Sequence, residues 1–250
     1  MEYGITSLLA VIAFAAVHLW ADKARKLGPK GHARLLSFGG GVAIAYVFID
    51  LMSKLGVSQT QVSLALDGVF PFFERHVYVM ALLGFLVFFL VDRKSRSQKG
   101  YWLSVVSYAI FNFLVGYSVA DKDDPEVQPL LLFTFAMALH YFTNDFSLSR
   151  DHSPEYLRSG RWILISAIFL GWICGITTEL PPTAVALLGG FIGGGVIMNV
   201  TRHELPRENP NDLPSFLGAT ALYTAILLFV GQRSLKPVVA GFLAIFHSPT

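Results

Sequence analysis

His140, Asn144 and Asp145 sit together in MALHYFTND (residues 137–145), inside the otherwise apolar run PLLLFTFAMALHYFTNDFSL. That run is long enough to cross a bilayer. His140 and Asn144 are four apart and share one face of a helix. A neutral imidazole suits zinc, iron, nickel and copper. Asp145 is one residue further on, about 100° around a helix of 3.6 residues per turn. It also lies near one end of the run, where a carboxylate can snorkel to the interface or pair with Arg150. Two readings of the segment stay open. One is a functional site, the default for ionisable residues inside a membrane. The other is a polar seam, in which His, Thr and Asn side chains join helices at about 0.6–2 kcal/mol per hydrogen bond.

Other motifs carry less. His203 and Glu204 in TRHELPRENPND are adjacent and lack the HExxH spacing of a zinc protease. With Pro206, Pro210 and Pro214 the segment reads as a polar loop. RDHSPEYLRSGR reads as a solvated loop, with His152 a weak ligand candidate. The glycine-rich LGGFIGGG lies inside an apolar run, the wrong setting for a phosphate cradle. His18, His32, His76 and His247 fall at the ends of apolar runs or in loops and form no local cluster. Asp50, Glu179 and Glu204 also fall at run ends, where acids line entrances. No nucleophile elbow, P-loop or dinucleotide fingerprint occurs, so the chain does not read as an enzyme.

These residues must be positioned by membrane helices. The chain has 250 residues, is 54% hydrophobic and only 14% charged, with a mean hydropathy of +0.55. Soluble domains carry roughly 25% charged residues. The net charge of +2 is too small to argue for nucleic acid. The single cysteine, Cys174, excludes an intrachain disulfide and a CxxC metal knot, and lies in an apolar run that suits packing. The N-terminal MEYGITSLLAVIAFAAVHLW has its positive charges after it rather than before it, the wrong polarity for a secretory signal peptide. It reads as a first, retained membrane helix.

Eight stretches are long and apolar enough to span: 3–21, 35–54, 77–92, 101–120, 129–148, 162–178, 183–201 and 215–232. The tail KPVVAGFLAIFHSPT holds an apolar piece too short to span and is expected at the interface. Lys and Arg concentrate in alternate loops. The first has Lys23, Arg25, Lys26, Lys30 and Arg34; the third has Arg93, Lys94, Arg96 and Lys99. The fifth has Arg150, Arg158 and Arg161, and the seventh Arg202 and Arg207. The even loops and run edges hold only Lys54, Arg75 and Lys122. The positive-inside rule then places the odd loops in the cytoplasm and both termini outside. The outer loop GVSQTQVSLALDGVFPFFERHV is amphipathic, with Phe70, Phe72 and Phe73 suited to the membrane surface.

Two glycine runs repeat. Aligning FGGGVAIAYVFIDLMSKL (38–55) with FIGGGVIMNVTRHELPRE (191–208) pairs Gly39, Gly40, Gly41 and Val42 with Gly193, Gly194, Gly195 and Val196, and Asp50 with Glu204. The first segment is expected to run outward and the second inward. That is the inverted-repeat pattern of many transporters. Small residues also recur in membrane helices simply as packing devices.

Eight spans, outer termini and inverted triplets around a central pair resemble the ZIP family of divalent-metal transporters. Four strings carry the resemblance: LSFGGGVAIAYVFIDL, IFNFLVGYSV (110–119), MALHYFTND and FIGGGVIMNVTRHELPRE. It implies an all-α membrane fold with a 3+2+3 arrangement of eight helices over a single domain, residues 1–250. It also implies a metal site between the fourth and fifth helices. Asn112 and Gly116 match the fourth-helix pattern His-Asn-x-x-acid-Gly, while Phe111 replaces its histidine and Val115 its acid. His140 matches the fifth-helix pattern His-x-x-x-Glu, while Asn144 replaces its glutamate. The implied metal set is thus His140, Asn112 and Asn144, with Asp145 nearby. Both matching carboxylates are absent, and a dehydrated divalent ion needs charged or numerous ligands.

Two functions follow as expectations. One is a permease for Zn2+ or another divalent or small cation as the transported ion. The other is a transport-inactive subunit of a larger membrane complex, with Phe111 and Val115 packing where ligands would stand. The partners expected are the lipid bilayer and a second copy or complex partner, with no nucleic acid. The short loops and small size suggest a bacterial inner membrane.

Overall fold

A backbone in hydrocarbon must pair its own N–H and C=O groups, so long apolar runs fold as helices. The computed structural model describes residues 2–65, 75–94, 98–120, 127–151, 153–205 and 212–246; these are almost entirely helical and contain no strand. Eight long helices occur among them. They are α1 (Glu2–Trp20), α2 (Gly28–Ala45), α3 (His76–Lys94), α4 (Gln98–Ala120), α5 (Val127–Asp151), α6 (Arg161–Thr177), α7 (Pro182–Asn199) and α8 (Leu213–Phe246). A 3₁₀ segment, Ala21–Leu27, joins α1 to α2 and ends on Gly28, whose φ of 70° favours a residue without a Cβ. The sequence PP at 181–182 starts α7, where a missing N–H costs nothing.

Seven described helical stretches are long and apolar enough to cross a membrane. They mark an integral membrane protein. The expected eighth, 129–148 within α5, is not among them. Its polar residues lower its hydropathy, and its place allows them: between 130 and 150 only Leu131, Phe135 and Arg150 are exposed. A helix screened from lipid by its neighbours can afford polar side chains.

Three other expectations change. The second span does not stop near residue 54, because α2 continues through a π-helical turn, Tyr46–Leu51, into Met52–Ala65. Gln59 anchors this extension by accepting a hydrogen bond from the Val77 N–H at 2.9 Å. The segment RDHSPEYLRSGR is not a solvated loop. Ser153–Glu155 and a π-helical turn at Tyr156–Gly160 lead into α6, with Tyr156 fully buried. The tail is not a separate interfacial piece, since α8 runs unbroken from Leu213 to Phe246. His152, Phe70, Phe72, Phe73 and most of the loop after Leu205 lie outside the described residues.

Glycines set the tightest helix pairs. A Cβ on Gly194 would land on the Ala81 carbonyl oxygen, and one on Gly84 would land on that of Phe191, so α3 and α7 touch backbone to backbone. Gly116 and Gly171 do the same between α4 and α6, against Ile168 and Phe113. Gly41 meets the Phe216 carbonyl of α8. The strongest neighbours are therefore α3 with α7, α4 with α6, α2 with α8 and α1 with α5. Exchanging α1 with α6, α2 with α7, α3 with α8 and α4 with α5 converts each of these pairs into another of them. The two aligned glycine helices also share a backbone feature. A π-helical turn begins at Tyr46 in α2 and at Val200 after α7, positions that the glycine alignment places opposite each other.

The pairs fall into two groups, α1/α4/α5/α6 and α2/α3/α7/α8. Along the seam between them, Gly39 of α2 rests on Leu139 and Thr143 of α5. There too Phe88 of α3 meets Phe111 of α4 edge-on at 5.6 Å.

Candidate functional site

The polar residues of α5 point two ways. Asp145 faces the interior of its own group. Its Oδ2 pairs with Nδ1 of His18 on α1, and both side chains are only 1% exposed. Asn112 of α4 closes the other side of the ring: its Nδ2 lies 2.9 Å from His18 Nε2 and 3.2 Å from the Leu164 carbonyl oxygen of α6. A carbonyl oxygen only accepts, so it fixes the amide with its NH2 toward both partners. His18 Nε2 is then an acceptor, and Nδ1 carries the hydrogen donated to the Asp145 carboxylate. Tyr156 donates its hydroxyl to the His18 carbonyl at 3.1 Å. Four helices are tied at one point.

His140 faces the seam. Its Nε2 lies 3.3 Å from Nδ2 of Asn144 on its own helix. Its Nδ1 lies 3.4 Å from Nδ2 of Asn199 at the end of α7, in the other group. A neutral imidazole accepts at one nitrogen and donates at the other, so one of these two amides must present its oxygen to the ring. Thr143 donates its hydroxyl to the His140 carbonyl at 2.8 Å. Rings surround the site. Phe111 is 5.8 Å from His140, and Tyr141 is 6.3 Å from both.

The implied set of His140, Asn112, Asn144 and Asp145 is therefore divided. His140 and Asn144 meet as their spacing predicts. Asn112 and Asp145 both meet His18 instead. Asp145 does not snorkel. Its burial against His18 holds it inside the group.

Sequence reasoning missed two participants. His18 reads as a residue at the end of a run, yet α1 continues beyond it to Trp20 and buries it. The signal was an imidazole within AAVHLW, still inside apolar sequence. Asn199 follows the triple glycine in IMNV and is 2% exposed. Its amide in an apolar run was the signal. Among the described residues no group of three or more His, Cys, Asp or Glu stands close enough to hold a metal ion. Phe111 and Val115 are buried, at 2% and 0% exposure.

No protein-family model matches the chain, and no curated protein matches it.

Proposed function

We propose that the protein is a ZIP-like membrane permease for a small cation, the class in which the resemblance places Zn2+ and other divalent metals. The path runs along the seam between the two helix groups, and His140 is its central ligand. The observation that carries this reading is where His140 stands. Asn144 rides on the same helix, whereas Asn199 belongs to the opposite group. A shift of one group against the other changes what the imidazole touches. The ligand set is one imidazole and two amides, with Asn199 in the place first expected of Asn112.

Further support is architectural. The interchangeable helix neighbours, the aligned glycines and the paired π-helical turns fit an inverted repeat around a central α4–α5 pair. π-helical turns of this kind are frequent at functional sites. The Lys and Arg bias supports a cytoplasmic location for the odd loops.

The test is cation flux into proteoliposomes, with Zn2+ first, for wild type and His140→Ala. Flux that vanishes with the imidazole supports the reading. Wild-type flux at the level of empty liposomes, from folded protein, rejects it.

A second reading is a transport-inactive subunit of a membrane complex. The buried Phe111 and Val115 favour it, since they fill with hydrocarbon the positions where ligands are expected. A partner that survives mild detergent purification supports this reading, and a monodisperse chain with measurable flux counts against it.

A further inference from the structure

The seam site also carries information on what it would hold. We propose that its cargo is a singly charged, hydrogen-bond-donating cation of the ammonium class rather than a divalent metal; this rests on the permease reading above. Three observations lead there.

The first is charge. His140, Asn144 and Asn199 bring no negative charge. The cost of dehydrating an ion rises with the square of its charge, so a divalent ion needs carboxylates that this set lacks. Among the described residues Asp145 is the buried acid, and it lies one residue beyond Asn144. That acid is turned toward His18 and adds no ligand to the set.

The second is the aromatic triangle. The rings of His140, Phe111 and Tyr141 stand 5.8 to 6.3 Å from one another. Aromatic faces attract ammonium groups through the ring quadrupole. Apart from the imidazole, such walls supply no ligand to a divalent metal.

The third is an orphaned group. The Tyr141 hydroxyl is buried in a side chain 2% exposed and has no hydrogen-bond partner among the described residues. Buried hydroxyls without partners are rare and call for an explanation. Ammonium supplies donors only. It can donate to an imidazole nitrogen, to amide oxygens on Asn144 and Asn199, and to this hydroxyl. An amide that presents its NH2 meets it by turning over. Their present contacts with the ring, at 3.3 and 3.4 Å, are longer than the usual 2.9–3.0 Å.

The experiment is current measurement on proteoliposomes adsorbed to a capacitive electrode, after jumps of ammonium chloride, sodium chloride or zinc chloride. Neutral ammonia crosses lipid without carrying charge, so current reports the cation. Wild type is expected to give a larger current with ammonium than with zinc. Phe111→Leu should lower the ammonium current about fivefold, the scale of one cation–π contact. Asn199→Asp, which adds the missing carboxylate, should shift preference toward zinc by about tenfold or more. Both variants are checked for a monodisperse elution profile. A wild-type current that favours zinc overturns the ammonium assignment and leaves the permease reading standing. An ammonium current unchanged in Phe111→Leu and also in Tyr141→Phe overturns the assignment of the aromatic site. No current with any cation, from folded wild type, removes the permease reading and this inference with it.

Discussion

Two buried histidines, His18 and His140, lie on either side of Tyr141 and are held in opposite ways. His18 is gripped on all sides. Both ring nitrogens and its carbonyl are bonded, by Asp145, Asn112 and Tyr156, and every partner belongs to α1, α4, α5 or the turn that leads into α6. His140 meets amides at 3.3 and 3.4 Å, and the second of these crosses to the other helix group. The first arrangement holds a group together. The second can be exchanged when the groups shift. The same residue type thus serves cohesion or exchange according to whether its partners move with it.

The largest expected effect tests the grip on His18. Removing His18 leaves the buried Asp145 without its partner, so His18→Ala should cost about 3–5 kcal/mol. Thermal unfolding in detergent, followed by tryptophan fluorescence, reads this loss. The double replacement His18→Leu with Asp145→Leu should recover most of it, because no orphaned charge remains. Failure to recover would mean that the network contributes more than its charge pairing.

Next in size is the contact that unites α4 and α6. In Gly171→Val a side chain must displace the Phe113 carbonyl. The expected loss is about 1–3 kcal/mol from overpacking, read by the same melt.

His140→Ala should cost less, about 0.6–2 kcal/mol, while removing flux. A melt as damaging as that of His18→Ala would break the contrast between the two histidines. An unchanged melt with lost flux would sharpen it.

The smallest effect lies at the start of α8, outside the apolar core. Asp212 accepts hydrogen bonds from the Ser215 N–H at 3.2 Å and from Arg34 Nε at 2.9 Å. The Ser215 bond first, and Arg34 after it, hold its carboxyl below the usual carboxylate range. A carboxylate lowered on folding stabilises above its unfolded value, and that contribution fades as pH falls through the lowered one. Wild type should therefore lose a small increment of stability on acidification that Asp212→Asn lacks. Identical acid slopes for the two proteins would show that the cap is without effect.

Much of the fold was legible in the sequence. Apolar runs gave the helices, since an unpaired backbone in lipid is too costly to permit another answer. The glycine alignment of α2 with α7 foretold where both helices carry π-helical turns, though not the turns themselves. The site was legible in part. His140 and Asn144 met because four residues along one helix fix their relation. Asn112 went to His18 rather than His140, because which face of α4 meets α5 depends on how Gly116 and Gly171 seat α4 against α6. Gly116 stands in the run IFNFLVG, but nothing in that run says which helix it packs against.

The sequence by itself determined the medium, the helices and the lack of matching carboxylates, because these depend on local composition and spacing. Only the tertiary structure decided that Asp145 belongs to His18 and that Asn199 reaches His140. Those partners are 127 and 59 residues apart along the chain. Side chains so distant meet only when whole helices pack, and helix packing is set by surfaces summed over many residues rather than by any one motif.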